Sequence, residues 1–97
     1  MIVSVLRVPA REGAERELLR AFAELEVFEH ARRSGGFRAG RLLRPLEPGE
    51  PLLVLAEWDD AAAYQGWLDN PARLEISERL ASLLDGEVTT GVLYEDA

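Results

Sequence analysis

The sequence predicts an α+β domain in which one antiparallel sheet carries its helices on a single face. Three observations predict it: two-residue alternation of apolar side chains in short segments, helical spacing of apolar side chains between them, and Gly or Pro at most junctions. At 97 residues the chain is expected to be a single domain, 1–97, with one core.

Ile2 to Val8 is rich in β-branched residues and meets Pro9, which has no N–H for a ladder, so the first strand stops there. From about Arg11 to Arg33, Ala, Glu, Leu and Arg dominate, and Ala14, Leu18, Phe22 and Leu25 form the stripe of an amphipathic helix. Gly35-Gly36 tolerate positive φ and end it. Glu29 falls inside that stripe while Val27 falls opposite. Either the helix breaks or re-registers near Leu25, the preferred reading, or Glu29 projects into a cavity as an acid or base.

Phe37 to Arg44 and Leu52 to Trp58 read as strands on either side of Pro45-Leu46-Glu47-Pro48-Gly49-Glu50-Pro51, so an antiparallel hairpin is expected. Asp59 or Asp60 caps a short helix with Ala61, Tyr64, Trp67 and Leu68 on one face. Asn70-Pro71 restarts the helix as N-cap and first helical residue, with Ile76, Leu80, Leu83 and Leu84 inward before Gly86. Glu87 to Glu95 alternates Val88, Thr90, Val92 and Tyr94 against polar neighbours and reads as the last strand. The order β-α-β-β-α(α)-β is the ferredoxin-like arrangement.

The third strand puts Leu52, Val54, Ala56 and Trp58 on one face and Leu53, Leu55 and Glu57 on the other. Both faces are apolar. Helices cover only one of them, and a second copy of the chain is the simplest cover for the other, so a homodimer is expected.

Charge narrows the partners. Eighteen acidic against 11 basic residues give a net charge of −7, which disfavours nucleic acid and anionic membrane. All the basic residues are Arg, a pattern read as codon bias and given no functional weight. Cysteine is absent, which excludes disulfides, thiol nucleophiles and thiolate metal or heme ligation. The first residues lack the basic and long apolar regions of a secretion signal, and no stretch of about 18 apolar residues occurs, so a cytoplasmic protein is expected.

No phosphate-binding glycine loop, nucleophile elbow or metal-spaced His and Cys set is present. The single histidine, His30, sits near the end of the long helix. There it either complements the helix dipole or serves as a proton acceptor of the kind imidazole supplies near neutral pH. Glu57, beside Trp58 in an apolar strand, is either a solvated strand-end carboxylate or a partly buried acid. Trp58, Tyr64 and Trp67 form the densest aromatic group, which is either plain core or, with Glu57, an apolar pocket with a few polar handles. Ser77 on the last helix faces the side of Leu84, either solvated or bonded to its own helix.

The segment Leu55-Ala56-Glu57-Trp58-Asp59-Asp60-Ala61-Ala62-Ala63-Tyr64-Gln65-Gly66-Trp67-Leu68-Asp69-Asn70-Pro71, following Ser34-Gly35-Gly36-Phe37, resembles the antibiotic biosynthesis monooxygenase family. The shared pattern is E-W-x-(D/S)-x-x-A-(Y/F)-x-x-W-L-x-(N/S)-P. The resemblance implies a ferredoxin-like protomer that pairs into a dimeric α/β barrel. It also implies oxidation of a small electron-rich aromatic, anthrone- or hydroquinone-like, by O2 without metal, flavin or heme. Trp58 and Tyr64 match family positions that line the pocket. One branch of the family cleaves heme with a strand-one Asn, the strand-end Trp and an iron-ligating His on the last helix. Aligned on Gly13 and on Trp67-Leu68, the Asn and His positions hold Leu6 and Ser77, which argues against heme cleavage. The candidate catalytic residues are therefore Trp58, Tyr64 and His30, and the candidate substrate contacts are Glu57, Trp67 and Ser77, with no metal ligands. Trp58 and Tyr64 are expected to serve the site more than the fold, and Trp67 the reverse. The alternative is a non-catalytic dimer that binds a small ligand or serves a stress response.

Overall fold

Alternating apolar side chains produce four strands, β1 (Ile2–Val8), β2 (Phe37–Leu43), β3 (Leu52–Trp58) and β4 (Val92–Glu95), in a computed structural model that describes every residue except Thr89. They form one sheet in the order β2-β3-β1-β4, and every neighbouring pair is antiparallel. β1 and β3 are the central pair, with Ile2 opposite Trp58 and Val8 opposite Leu52. This is the ferredoxin-like order expected from the sequence.

The long helical segment is two helices, α1 (Glu15–Glu24) and α2 (Val27–Ser34), separated by Glu26 in the left-handed region at φ 51°. That conformation costs a non-glycine residue of order 1–3 kcal/mol. Burial offsets the cost, because the re-registered α2 buries Val27 and Ala31 as a continuation of the Leu18 stripe. Glu29 consequently stays exposed and pairs with Arg32 one turn on. The break near Leu25 is thus the correct alternative. Gly36, at φ 73°, closes α2 where a Cβ would collide with Ala63, so it allows the close approach of the next helix.

Asp60, rather than Asp59, caps α3 (Ala61–Leu68) by accepting the Ala63 N–H at 2.8 Å. Asn70 caps α4 (Pro71–Leu80) by accepting the Ala72 N–H at 2.9 Å, with Pro71 in the first turn. Beyond Leu80 the helix tightens into one 3-10 turn, Ala81–Leu83, and Leu84 is already extended, bridging Ala10. Two backbone bonds, Arg11 N–H to Leu83 O at 2.8 Å and Asp85 N–H to Pro9 O at 2.9 Å, pin this exit to the end of β1.

The last strand is shorter than the alternation from Glu87 predicts. Pairing begins only at Val92, opposite Val5. The chain leaving Leu84 is held at the far end of β1, and the Gly91 N–H goes to the Tyr64 hydroxyl rather than to a ladder partner. Val88 still packs against the core, whereas Thr89 lies outside the described residues.

The two sheet faces differ as the third strand implied. Ser4, Val8, Leu52, Ala56 and Trp58 are buried toward the helices. The opposite face carries Val3, Val5, Leu53 and Leu55, with Val92 and Tyr94 beside Val5 and Val3. Val92 and Tyr94 are each 58% exposed, and among the described residues no element lies over that face. Among the described residues, no helix is long and apolar enough to cross a membrane.

Candidate functional site

Side chains from the inner face of the sheet and from α1 to α4 line a partly open cavity of about 380 Å³. Its floor is Ser4, Leu6, Val54, Ala56 and Trp58 of β1 and β3. Phe22 and Phe28 come from α1 and α2, Tyr64 and Trp67 from α3, and Arg73, Ile76 and Ser77 from α4. That volume, within an apolar lining carrying few polar groups, is the size and composition of a small-molecule site.

One wall is a run of aromatic rings. Phe22 meets Phe28 edge-on at 5.3 Å between centroids, Phe28 stacks on Phe37 at 5.8 Å, and Phe37 meets Trp58 edge-on at 5.3 Å. Trp58 in turn meets Tyr64 at 5.5 Å with the planes 61° apart. Edge and offset-stacked geometries at these spacings are the favoured aromatic contacts. The run depends on Gly40 of β2, where a Cβ would stand 2.5 Å from the nearest Phe28 ring carbon. A glycine in a strand interior here makes room for a ring.

Two polar groups inside this wall are committed to hydrogen bonds within the fold. The Trp58 Nε1–H donates to Ser4 Oγ at 3.0 Å, and both residues are buried. The Gly91 N–H donates to Tyr64 Oη at 2.7 Å. In each case a hydroxyl oxygen accepts, and among the described residues no group accepts from either hydroxyl's own hydrogen. Arg73, half-buried, and the exposed Glu78 and Glu87 complete the polar lining.

Of the residues singled out from sequence, Trp58, Tyr64, Trp67 and Ser77 come together on the cavity. Glu57 does not: it lies on the opposite sheet face, opposite Val3 and Ala39, so the pocket expected to include it forms without it. His30 also stays apart, on α2 and outside the lining. The contrast drawn between Trp67 and the other two aromatics is not visible in burial, since Trp58, Tyr64 and Trp67 are 1%, 6% and 7% exposed and all three line the cavity. Sequence reasoning missed Ser4, although a signal existed: it is the one polar residue among the helix-facing positions Ile2, Ser4, Leu6 and Val8 of β1. Phe28, Phe37 and Arg73 were missed as well, and nothing in their spacing marks them. No cluster of His, Asp or Glu suited to a metal ion occurs among the described residues.

The antibiotic biosynthesis monooxygenase family matches residues 1–79 of the chain. A heme oxygenase (mycobilin-producing) of Mycobacterium tuberculosis is 35% identical over 98 aligned residues, covering 93% of this chain and 89% of that protein. Among solved structures, SnoaB, a cofactor-independent oxygenase from Streptomyces nogalater, superposes with a TM-score of 0.78 at 25% identity, over 99% of this chain and 92% of its own. A conserved protein from Methanosarcina mazei Go1 superposes with a TM-score of 0.79 at 22% identity, over 99% of this chain and 92% of its own, a likeness of fold.

Proposed function

Because this chain belongs to the antibiotic biosynthesis monooxygenase family, we propose that it is an oxygenase that oxidises a small electron-rich aromatic with O2, without metal, flavin or heme. The observation that carries this reading is the apolar cavity walled by Trp58, Tyr64 and Trp67, with the hydroxyls of Ser4, Ser77 and Tyr64 among its few polar groups. For an anthrone-like substrate, the ring CH2 gives a proton to a solvent base, the carbanion passes an electron to O2, the resulting pair joins in a C–O bond, and the peroxide anion takes a proton back. The resulting hydroperoxide sheds water, so that CH2 plus O2 becomes C=O plus H2O. What the protein supplies is a water-poor cavity and donors aimed at the developing oxyanion. Tyr64 suits that second task, because accepting from Gly91 leaves its O–H free to donate.

A heme-cleaving reading draws support from the 35% identical relative. The donor set here does not fit it. Heme iron takes an axial His, Cys thiolate, Met or Tyr. Cysteine is absent and His30 and Met1 lie off the cavity, so among the described residues the iron-ligating His of the heme-cleaving branch has no counterpart on the lining. A non-catalytic ligand-binding or stress-related dimer is the further alternative. In either case we propose that a second copy covers the open sheet face of Val3, Val5, Leu53 and Leu55, since exposed apolar area costs about 25 cal/mol per Å².

Oxygen uptake with a panel of anthrones and hydroquinones tests the proposal. Uptake above the buffer rate, lost in Tyr64→Phe, is the expected result. Uptake at the buffer rate across the panel, with ligands still bound, would move the protein to the non-catalytic class.

A further inference from the structure

Trp58 is the residue that the family pattern nominates, yet its single polar hydrogen is already spent. Indole has one donor and no acceptor, and that donor is bonded to Ser4 Oγ at 3.0 Å with both side chains buried. Trp58 therefore has no hydrogen left to offer a ligand. Ser4 is in the reverse position. Its oxygen has accepted a bond, its own O–H has no acceptor among the described residues, and it lies on the cavity lining beside Leu6 and Ala56. A hydroxyl that accepts from a strong donor becomes a better donor itself, and in a low-dielectric pocket the effect is larger than in water.

We propose that the Ser4 hydroxyl is the ligand-binding donor on the cavity floor, and that Trp58 is a positioning residue acting through it. The group recognised is an oxygen acceptor on a flat aromatic: a quinone carbonyl, or the phenolate or enolate that precedes it. The position on β1 is built for this. Ile2, Leu6 and Val8 present apolar side chains to the same face, and the serine among them, 3% exposed, satisfies the buried indole N–H in a bond that leaves its own hydrogen unused. The central pairing of β1 with β3 holds Ser4 opposite Ala56, and both residues line the cavity. The inference rests on the reading of the cavity as an aromatic site but not on turnover.

The test is binding of 1,4-naphthoquinone and of naphthalene, measured by calorimetry on the full chain. Ser4→Ala is expected to weaken naphthoquinone about tenfold, the weight of one neutral hydrogen bond, and to leave naphthalene within about twofold. Ser4→Thr, which keeps the hydroxyl, is expected to retain naphthoquinone. Trp58→Phe is expected to weaken naphthoquinone by less than Ser4→Ala does. Equal loss of both ligands in Ser4→Ala, or loss of neither, overturns the proposal. A second measurement needs no variant: the carbonyl stretch of naphthoquinone bound to the native protein should move to lower wavenumber, and an unshifted band overturns the proposal whatever the variants do. If the native protein binds neither ligand, the aromatic-site reading falls and this inference with it. Selective loss of naphthoquinone without any O2 uptake on the substrate panel keeps Ser4 as the donor and overturns the oxygenase reading alone.

Discussion

Tyr64→Phe removes one oxygen atom and leaves the ring. The edge contact to Trp58 at 5.5 Å survives, so packing loss is small, and what disappears is the acceptor of the Gly91 N–H bond at 2.7 Å. A neutral hydrogen bond of this kind contributes about 0.5–1.5 kcal/mol net, and an orphaned buried donor costs about 1–3 kcal/mol. Gly91 is only half-buried, so water partly replaces the lost partner, and the expected cost is about 1 kcal/mol. For a domain of this size that lowers Tm by about 4–8 °C. Gly91 immediately precedes β4, which pairs with β1 alone among the described residues, so the weakening should be local. Calorimetric melts give the global figure, and amide hydrogen exchange gives the local one. Faster exchange at Gly91 and along Val92–Glu95, with β1 and β3 amides slowed or speeded only by the global change, is the expected pattern. An unchanged Tm together with unchanged Gly91 protection would refute the assignment of this bond as the anchor of β4.

Gly40→Ala is expected to destabilise by about 1–3 kcal/mol through overpacking against Phe28, and Phe28→Leu in the same chain should recover most of it. Melts of the single and double variants check this, and an additive loss would count against the contact. Leu55→Glu, at the centre of the open face between Val5 and Arg41, should convert a dimer to a species of 10.8 kDa by sedimentation. A native protein that already sediments as a monomer at micromolar concentration removes the case for a covered face. Heme titration should give no saturable 1:1 Soret shift, and a shift abolished by His30→Ala would reinstate heme as a ligand and His30 as its donor.

Legibility followed how local each determinant is. The β1 strand, the Asn70-Pro71 restart and the break near Leu25 are written in nearest-neighbour chemistry: β-branching, a side-chain cap, a misplaced Glu29. The start of β4 was not, because Val88 and Thr90 alternate as a strand would, and pairing is decided by the Leu84 bridge and by the Tyr64 hydroxyl. The site divided the same way. Trp58, Tyr64, Trp67 and Ser77 stood out by type and spacing and do share the cavity, whereas Glu57 stood out equally and lies across the sheet from it. The alternation that put Trp58 inside had already put Glu57 outside.

By itself, then, the sequence determined the order of elements, the two-faced sheet and the aromatic residues available to a site, since periodicity and capping act over a few residues. Only the tertiary structure decided which polar atoms meet. Ser4 and Trp58 are 54 residues apart and Tyr64 and Gly91 are 27 apart, and each pair is joined by a single hydrogen bond. Such a bond exists only after β1 has paired with β3 and α3 has packed beneath it. It leaves no periodic trace in either segment, because hydrogen-bond partners are selected by distance and direction in three dimensions. The Ser4 hydroxyl became a free donor, and the Trp58 indole a committed one, at that step.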